Sequence, residues 1–448
     1  MNSFVRSLLL ILLTAVSSCN VSEKRANQLI NSYAKSTMEE YYLWKDEIKD
    51  SLALWDMNDS VESNLESCRY KAPDGRFTDI FTTIKIGEES GSGSKTLSYG
   101  FDYCIQESEG KPLCLIITYV YPDGPAAMAG LKRGDRIFSL DGKPFDSFGM
   151  LECIISKDKC TFGTERGDIE LNAKDLSGSP TIITNIFHTG KGPVGYLFFN
   201  DFRDYDWDGY INVFKSFRKA GVKDLILDLR YNPGGHTDLA DIIASMIAPE
   251  KYVDGMYPFT YRGEKLYSLR RYERDTKDNR YDIDDAKAGI ERLYIIYTSN
   301  SASASEYLYV GLKPYMNITA VGEKTYGKFV GGLDINMEYF LERNKEKLKK
   351  KDYRQSLKIC KNVSMYVITY AYTDNNKENP YIETKGIIPD ILAADRPYEP
   401  YQLGDENESM VSVILGLISG KEVCRSESET VSLTRSDDGF TNFPAICK

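Results

Sequence analysis

The regular alternation of short apolar strands with amphipathic helices after Val194 constrains the fold of this chain more than any other feature. The predicted elements, in chain order, are strand 195–199, helix 210–219, strand 224–229, helix 239–247, strand 293–297 and helix 305–312. This alternation is typical of α/β domains whose strands pair mostly in parallel. Functional sites in such sheets lie at the carboxyl ends of the strands.

Two polar segments directly follow predicted strand ends, so we expect them to share one site. Residues 230–235 follow the second strand and contain a glycine pair, and residues 301–306 follow the third strand. Small residues around Ser303 leave its hydroxyl accessible and the neighbouring amides free, and Lys328, next to a glycine, could take the serine proton. The pattern predicts a serine–lysine hydrolase.

The same residues allow other roles. Ser303 and Glu306 fit the capping box, in which a serine begins a helix and a glutamate three residues later binds the serine amide. The chain has only two histidines, His188 and His236. His236 follows the glycine pair and is the alternative base. A lysine base needs its pKa lowered from about 10.4 towards 7 or 8, so we expect Lys328 to be mostly buried.

Composition excludes several other classes of function. The net charge of -10 and the isoelectric point near 5.1 argue against a nucleic-acid partner, and the basic run at 345–351 is predicted to be a solvated face. Residues 322–328 match the glycine-to-lysine frame of a phosphate-binding loop, but Phe329 stands where a magnesium-binding Ser or Thr is needed. No metal site and no cofactor are predicted.

The amino terminus has the pattern of a secretory signal over residues 1–18. A single positive charge precedes an apolar run at 8–16 that is too short to span a membrane, and small residues follow it. Cys19 stands directly after them and resembles the cysteine of a bacterial lipobox. We therefore expect cleavage before Cys19, lipid attachment to it, and a membrane-anchored protein of the bacterial cell envelope. The alternative is an ordinary secretory signal followed by an incidental cysteine.

Eight further cysteines remain in this predicted mature chain. An even number in an exported protein permits disulfides, although sequence does not fix their connectivity. The candidate pairs close in sequence are Cys104/Cys114, Cys153/Cys160 and Cys424/Cys447.

The region between residues 96 and 173 changes to short strands and turns. Its segment 124–145, "GPAAMAGLKRGDRIFSLDGKPF", resembles a PDZ domain. Such domains hold a peptide as an added strand, with loop amides receiving its terminal carboxylate. The resemblance makes the amides of Tyr99, Gly100 and Phe101 the candidate carboxylate site. The alternative is a structural or regulatory module without a ligand.

Four more motifs follow in a fixed order. They are "DLRYNPGG" at 228–235, "SASASE" at 301–306, "GEKTYGK" at 322–328 and "GIIPDI" at 386–391. With the PDZ-like segment before them, the chain resembles the C-terminal processing, or tail-specific, serine peptidases over most of residues 30–395. The resemblance implies a multidomain α/β protein with a core of the ClpP/crotonase-like type.

The resemblance also implies roles for individual residues. It makes Ser303 the nucleophile and Lys328 the general base, with the oxyanion bound by the amide of Ala304 and that of Gly234 or Gly235. Two positions depart from the family pattern. Gly332 replaces a glutamine that often follows the lysine, and an acidic residue often found after the nucleophile would fall near Pro314. The rival hypothesis is therefore a catalytically inactive, PDZ-bearing lipoprotein that only binds peptides.

The predicted organisation follows from these segments. It comprises a signal peptide at 1–18, an N-terminal helical region at 19–95, a PDZ-like domain at 96–182, a peptidase core at 183–400, and a C-terminal helix and tail at 401–448. The predicted partners are proteins or peptides with free C-terminal or disordered segments, and a membrane reached through Cys19. The sequence does not predict an oligomeric state.

Overall fold

The computed structural model describes most of the chain after residue 20. The described residues are 21–71, 82–86, 97–106, 113–145, 157–176, 181–203, 207–248, 259–262, 265–268, 283–374, 378–421 and 446–447. No helix in these ranges is both long enough and apolar enough to cross a membrane. The glycine- and serine-rich segment at 87–94, which the sequence predicts to be a hairpin tip or linker, lies outside the described residues. So does most of the charge-rich segment at 264–287, for which the sequence predicts an exposed insertion.

The helices and strands are numbered in chain order. The helices are α1 Glu23–Tyr41, α2 Lys49–Ala53, α3 Val61–Ser67, α4 Pro125–Met128, α5 Trp207–Ala220, α6 Thr237–Ile247, α7 Ala304–Leu312, α8 Met337–Arg343, α9 Lys350–Ser356 and α10 Ser409–Ile418. The strands are β1 Thr83–Ile86, β2 Leu97–Ser98, β3 Phe101–Gln106, β4 Cys114–Val120, β5 Arg136–Leu140, β6 Lys143–Pro144, β7 Lys159–Thr164, β8 Gly167–Asn172, β9 Lys174–Asp175, β10 Ile182–Thr189, β11 Gly192–Phe199, β12 Asp224–Asp228, β13 Phe259–Arg262, β14 Lys265–Ser268, β15 Arg292–Tyr297, β16 Asn317–Gly322, β17 Val330–Asn336, β18 Val363–Thr373, β19 Ile391–Leu392 and β20 Ile446–Cys447. Single 3₁₀ turns lie at Asp284–Ala286, Cys360–Asn362 and Pro380–Ile382.

The chain divides into two compact units, and the first is helical with a small sheet. It contains the described residues within 1–92, 261–266 and 330–371. Helix α1 begins at Ser22, whose hydroxyl accepts a hydrogen bond from the amide of Arg25, and buries an apolar face that includes Leu29 and Ile30. Burying one such side chain stabilises a fold by about 1.5–3 kcal/mol. Strand β18 pairs antiparallel with β1 and β17 in this unit. Helices α1, α2 and α3 lie within the region for which the sequence predicts helices.

The second unit holds the described residues within 93–260, 267–329 and 372–448, and its first part is a β-rich domain. Strands β3, β4, β5, β7 and β8 are neighbours in one antiparallel sheet, with β6 beside β5 and β20 beside β3. Its core is made of apolar side chains that alternate along the strands, such as Leu115, Ile117 and Phe162, all fully buried. Helix α4 packs Ala126 into the same core.

Two of the candidate disulfides are wrong. Cys114 and Cys160 are free thiols, whereas Cys104 forms a disulfide. The antiparallel register places Cys114 opposite Gln106, two residues beyond Cys104, and the Cys160 side chain is buried in the core of the β-rich domain. Cys153 and Cys424 lie outside the described residues, so the pair Cys424/Cys447 stays a prediction.

The larger part of the second unit is built on a six-stranded sheet. Its order is β10-β11-β12-β15-β16-β19, with every neighbouring pair parallel except β10 and β11. The α/β fold with mostly parallel strands is therefore confirmed. All five residues of β12 are buried, as expected for a central strand covered on both faces. Asp228 at the end of β12 is level with Ile296 near the end of β15, so the segments that follow these strands emerge side by side.

Candidate active site

The serine segment forms a sharp turn between β15 and α7. Its polar residues support the turn locally, because the amide of Thr298 donates to Ser301 Oγ at 3.0 Å and the amide of Ser301 donates to the Thr298 carbonyl at 2.9 Å. Ser303 then adopts φ 55° and ψ −113°, a conformation that side-chain-bearing residues rarely take. The next residue starts the helix, and the Ser303 residue is only 6% exposed.

Hydrogen bonds join the glycine loop at 230–235, and Leu229 just before it, to this turn. The carbonyl of Asn232 accepts one from the amide of Ala302 at 3.2 Å and one from Ser305 Oγ at 2.9 Å. Ser301 Oγ donates to the Leu229 carbonyl at 2.8 Å. The two segments predicted to share one site at the strand ends therefore do lie together.

Gly234 lies directly against Ser303. Its φ is +102°, and a Cβ added there would stand 2.6 Å from Ser303 Cβ and 2.8 Å from the Ala304 nitrogen. Only glycine therefore permits this approach of the two backbones. The Gly234 amide itself donates to Asn232 Oδ1 at 2.9 Å.

Two other amides of the site, unlike that of Gly234, are not engaged by a neighbouring acceptor among the described residues. Within the described part of the chain, the amides of Gly235 and Ala304 donate no hydrogen bond. They belong to the two backbones that meet at Gly234, so they are the main-chain donors that a ligand oxygen here could use. The sequence left open whether Gly234 or Gly235 supplies this donor. Because the Gly234 amide is already bonded to Asn232, Gly235 is favoured.

Glu306 connects the serine turn to the loop that carries Lys328. This carboxylate is fully buried, and one oxygen accepts the Ser303 amide at 2.9 Å. The other oxygen accepts the Gly327 amide at 2.7 Å and the Thr325 hydroxyl. Burial raises the pKa of Glu306 to about 7, although hydrogen bonds from its neighbours act in the opposite direction. Both arms of the predicted capping box are present, and the glutamate reaches the lysine loop as well.

The lysine loop is anchored on both sides, and Lys328 is 7% exposed, which confirms the predicted burial. The Tyr326 amide donates to the Ser301 carbonyl at 3.0 Å. The Thr325 amide donates to the Ile387 carbonyl at 3.1 Å, and the Ile387 amide donates to the Thr325 hydroxyl at 2.8 Å. The "GIIPDI" motif therefore supports the loop before the lysine.

His236, the alternative base, occupies a different environment. It precedes α6, its amide donates to the Phe202 carbonyl at 2.7 Å, and the residue is exposed. A base that must exchange protons with the buried Ser303 is more simply supplied by a buried neighbour.

One residue of the site was not found from the sequence. The Tyr372 hydroxyl lies 3.2 Å from Ser303 Oγ, and the tyrosine is 1% exposed. Tyr372 belongs to β18, far along the chain from both predicted catalytic residues, and no motif surrounds it. Only the three-dimensional path of β18 brings it to the serine.

A buried charge cluster supports the base of the glycine loop. The Arg230 guanidinium is fully buried and donates to Asp228, Asp395 and Glu408, and Arg133 of the β-rich domain also donates to Asp395. Burial alone would raise the pKa of Asp395, but the two guanidiniums outweigh it and lower that pKa to about 2. Removing one partner from such a buried cluster typically costs about 3–5 kcal/mol.

The candidate carboxylate site lies in the turn before β3. The Gly100 amide donates to Ser98 Oγ at 3.0 Å, and the Tyr99 carbonyl accepts the Ala126 amide at 2.9 Å. One of the three candidate amides is thus engaged within the turn. Cys19, the predicted lipid attachment site, lies outside the described residues.

Comparison with known proteins finds family matches for two segments of the chain. Residues 193–393 match the model of peptidase family S41, and residues 116–161 match a PDZ domain. The "Probable CtpA-like serine protease" of Staphylococcus aureus (strain N315) is 25% identical over 358 residues, which cover 76% of this chain and 64% of the relative. The chain therefore spans less than two thirds of that relative.

A second relative and a solved structure agree with these matches. The "Probable CtpA-like serine protease" of Staphylococcus epidermidis (strain ATCC 35984) is 23% identical over 414 residues, covering 88% of this chain and 73% of the relative. A crystal structure of an S41 protein from Bacteroides fragilis NCTC 9343 superposes with a TM-score of 0.67 at 21% identity, covering 87% of this chain and 97% of that one. The predicted resemblance to C-terminal processing serine peptidases with a PDZ domain is confirmed, and so is the fold class.

Proposed function

We propose that this chain, which carries an S41 peptidase domain and a PDZ domain, is a serine endopeptidase of the tail-specific type with Ser303 and Lys328 as its dyad. The observation that supports it most is the way Glu306 binds the serine turn and the lysine loop with one buried carboxylate. A protein that only captures peptides has no need for a serine, a buried lysine and a glycine pair in one place.

In the proposed reaction, Lys328 acts first as the general base. This step requires a neutral amine, and burial of the residue disfavours the charged ammonium. The serine oxygen bonds to the carbonyl carbon of the substrate, and the peptide nitrogen leaves with a proton from the lysine. Water then attacks the acyl-enzyme, the lysine takes a proton from it, and Ser303 recovers its hydroxyl proton as the new carboxyl end leaves.

The oxyanion formed in both steps is assigned to the amides of Gly235 and Ala304. Neither amide donates a hydrogen bond elsewhere in the described part of the chain. Amides at the start of a helix point their positive ends outward, as an anion requires, and one such donor contributes about 2.7–4 kcal/mol to transition-state stabilisation.

The proposed substrates are unstructured or C-terminal segments of cell-envelope proteins. A PDZ domain recognises such segments as an added strand, which requires an extended and accessible peptide. Attachment of a lipid to Cys19 would hold the enzyme at a membrane of the envelope, where these substrates are found.

Cleavage of denatured casein by the purified chain without its first 19 residues tests the proposed chemistry. We expect Ser303→Ala and Lys328→Ala each to lower the rate by at least about 1,000-fold, because each removes a reacting group. His236→Ala serves as the control for the alternative base and is expected to retain activity. Circular dichroism and thermal melting of each variant establish that the fold is intact.

Two outcomes would contradict the proposal. Cleavage lost only in His236→Ala would transfer the base to the histidine. Equal rates for the wild type and Ser303→Ala, together with binding of a peptide tail, would show the inactive peptide-binding protein instead.

A further inference from the structure

The hydroxyl of Tyr372 lies within hydrogen-bond distance of Ser303 Oγ, at 3.2 Å. Either hydroxyl could be the donor in this pair. Tyr372 is 1% exposed, and a buried hydroxyl without a partner is costly, so a hydrogen bond with the serine is favourable for the phenol as well.

Tyr372 is held in place from several directions. Its amide donates to the carbonyl of Phe329, the residue after Lys328, at 2.9 Å. Its carbonyl accepts the Asn379 side-chain amide at 3.0 Å. Its ring contacts that of Tyr307 at a centroid distance of 4.9 Å, a contact that needs only the ring at position 307 and not its hydroxyl. The phenol is therefore preorganised against the serine.

The chain lacks one polar side chain of the family pattern. Gly332 replaces the glutamine that often follows the catalytic lysine, and a Cβ at this position would come within 2.4 Å of the Val367 carbonyl oxygen. No side chain fits there without a shift of the strand. A polar group that helps the dyad must come from another part of the chain.

We infer that Tyr372 is a third catalytic residue of the proposed peptidase, which donates a hydrogen bond to Ser303 Oγ. By occupying a lone pair of that oxygen, the phenol leaves the serine proton directed at the base. When the acyl-enzyme is hydrolysed, the bond between carbonyl carbon and Ser303 Oγ breaks, and the phenol stabilises the departing oxygen until it regains its proton from Lys328. The tyrosine transfers no proton itself. This role depends on the proposed function.

The test compares Tyr372→Phe with Tyr307→Phe. Each change removes one hydroxyl from the same pair of touching rings, but only the first removes the group at Ser303. We expect Tyr372→Phe to lower kcat for casein about 10-fold with KM unchanged, the loss of one neutral hydrogen bond that is made in the transition state. Tyr307→Phe should keep kcat within about 2-fold of the wild type.

A second measurement does not depend on casein. A fluorophosphonate probe bonds to Ser303 Oγ with loss of fluoride while the hydroxyl proton passes to the base, and mass spectrometry gives the rate of labelling. We expect the Tyr372→Phe rate to fall about as much as kcat, with both melting temperatures close to that of the wild type.

The outcomes separate this inference from the proposed function. If the wild type neither cleaves nor labels faster than Ser303→Ala, the proposed function falls and the role of Tyr372 falls with it. If the wild type is active and Tyr372→Phe is equally fast, only the role of Tyr372 is overturned. Equal losses in the two phenylalanine variants, or a change in KM alone, would also overturn it by assigning the effect to ring packing.

Discussion

The pH dependence of stability should reveal the carboxylate that joins the serine turn to the lysine loop. Glu306 is fully buried, and burial raises its pKa from the ordinary 4.5 to about 7. A carboxyl with a raised pKa binds its proton more tightly in the folded protein than in the unfolded chain. Its favourable contribution is therefore complete below about pH 4.5 and is lost as the pH rises through about 7.

The magnitude follows from the size of the shift. A rise of the Glu306 pKa from 4.5 to about 7 corresponds to about 3 kcal/mol of unfolding free energy. Glu306→Gln has no titrating group at this position. We therefore expect the stability of the wild type, relative to that of Glu306→Gln, to fall by about 3 kcal/mol between pH 4.5 and pH 7.5.

Urea unfolding followed by the fluorescence of Trp207 measures this difference, because Trp207 lies in the same compact unit as Glu306. The chain has three tryptophans, and Trp44 and Trp55 belong to the helical unit, so both are replaced by phenylalanine in the two proteins compared. Subtracting the two unfolding free energies at each pH removes the contributions of all other titrating groups. A difference that stays constant from pH 4.5 to 7.5 would refute the assignment of a raised pKa to Glu306.

Two further predictions concern the glycine loop and the amino terminus. Gly234→Ala should lower casein cleavage by at least about 100-fold, because the added Cβ would displace the backbone of the serine turn. The control is Gly221→Ala, at φ +72° with open space around it, which should lose stability but keep activity. Equal cleavage by the two variants would contradict the steric argument. The full chain produced in a bacterium should enter the detergent phase of Triton X-114, because a lipid on Cys19 would bind the detergent. The Cys19→Ser variant should remain in the aqueous phase. Identical partition of the two proteins would exclude the lipid anchor.

The α/β architecture could be predicted because its signals are local. Strand β12 is a run of buried residues, and the helix predicted at 239–247 is observed at Thr237–Ile247. The meeting of the serine and glycine segments was also predictable, since neighbouring parallel strands place their carboxyl ends at one edge of the sheet. The register of Asp228 with Ile296 brings about this meeting.

The rest of the site depends on contacts between distant residues. Tyr372 reaches Ser303 through the path of an antiparallel strand, which no local pattern encodes. The same limit explains the cysteines, because closeness in sequence favoured Cys104 and Cys114 while the strand register separates them. Glu306 was recognised as a cap, but its bonds to Gly327 and Thr325 required the folded lysine loop.

The choice between a helix cap and a nucleophile for Ser303 can be argued from two other serines of this chain. Ser22 and Ser60 cap helices with φ of −65° and −67°, and their hydroxyls accept hydrogen bonds from backbone amides. Ser303 has φ 55° instead, which costs about 1–3 kcal/mol for a residue with a side chain. Because the ordinary geometry suffices for capping, the strain at Ser303 needs another cause. The close approach of Gly234 and the phenol of Tyr372 at the hydroxyl are features that a helix cap does not need and that the proposed nucleophile would use.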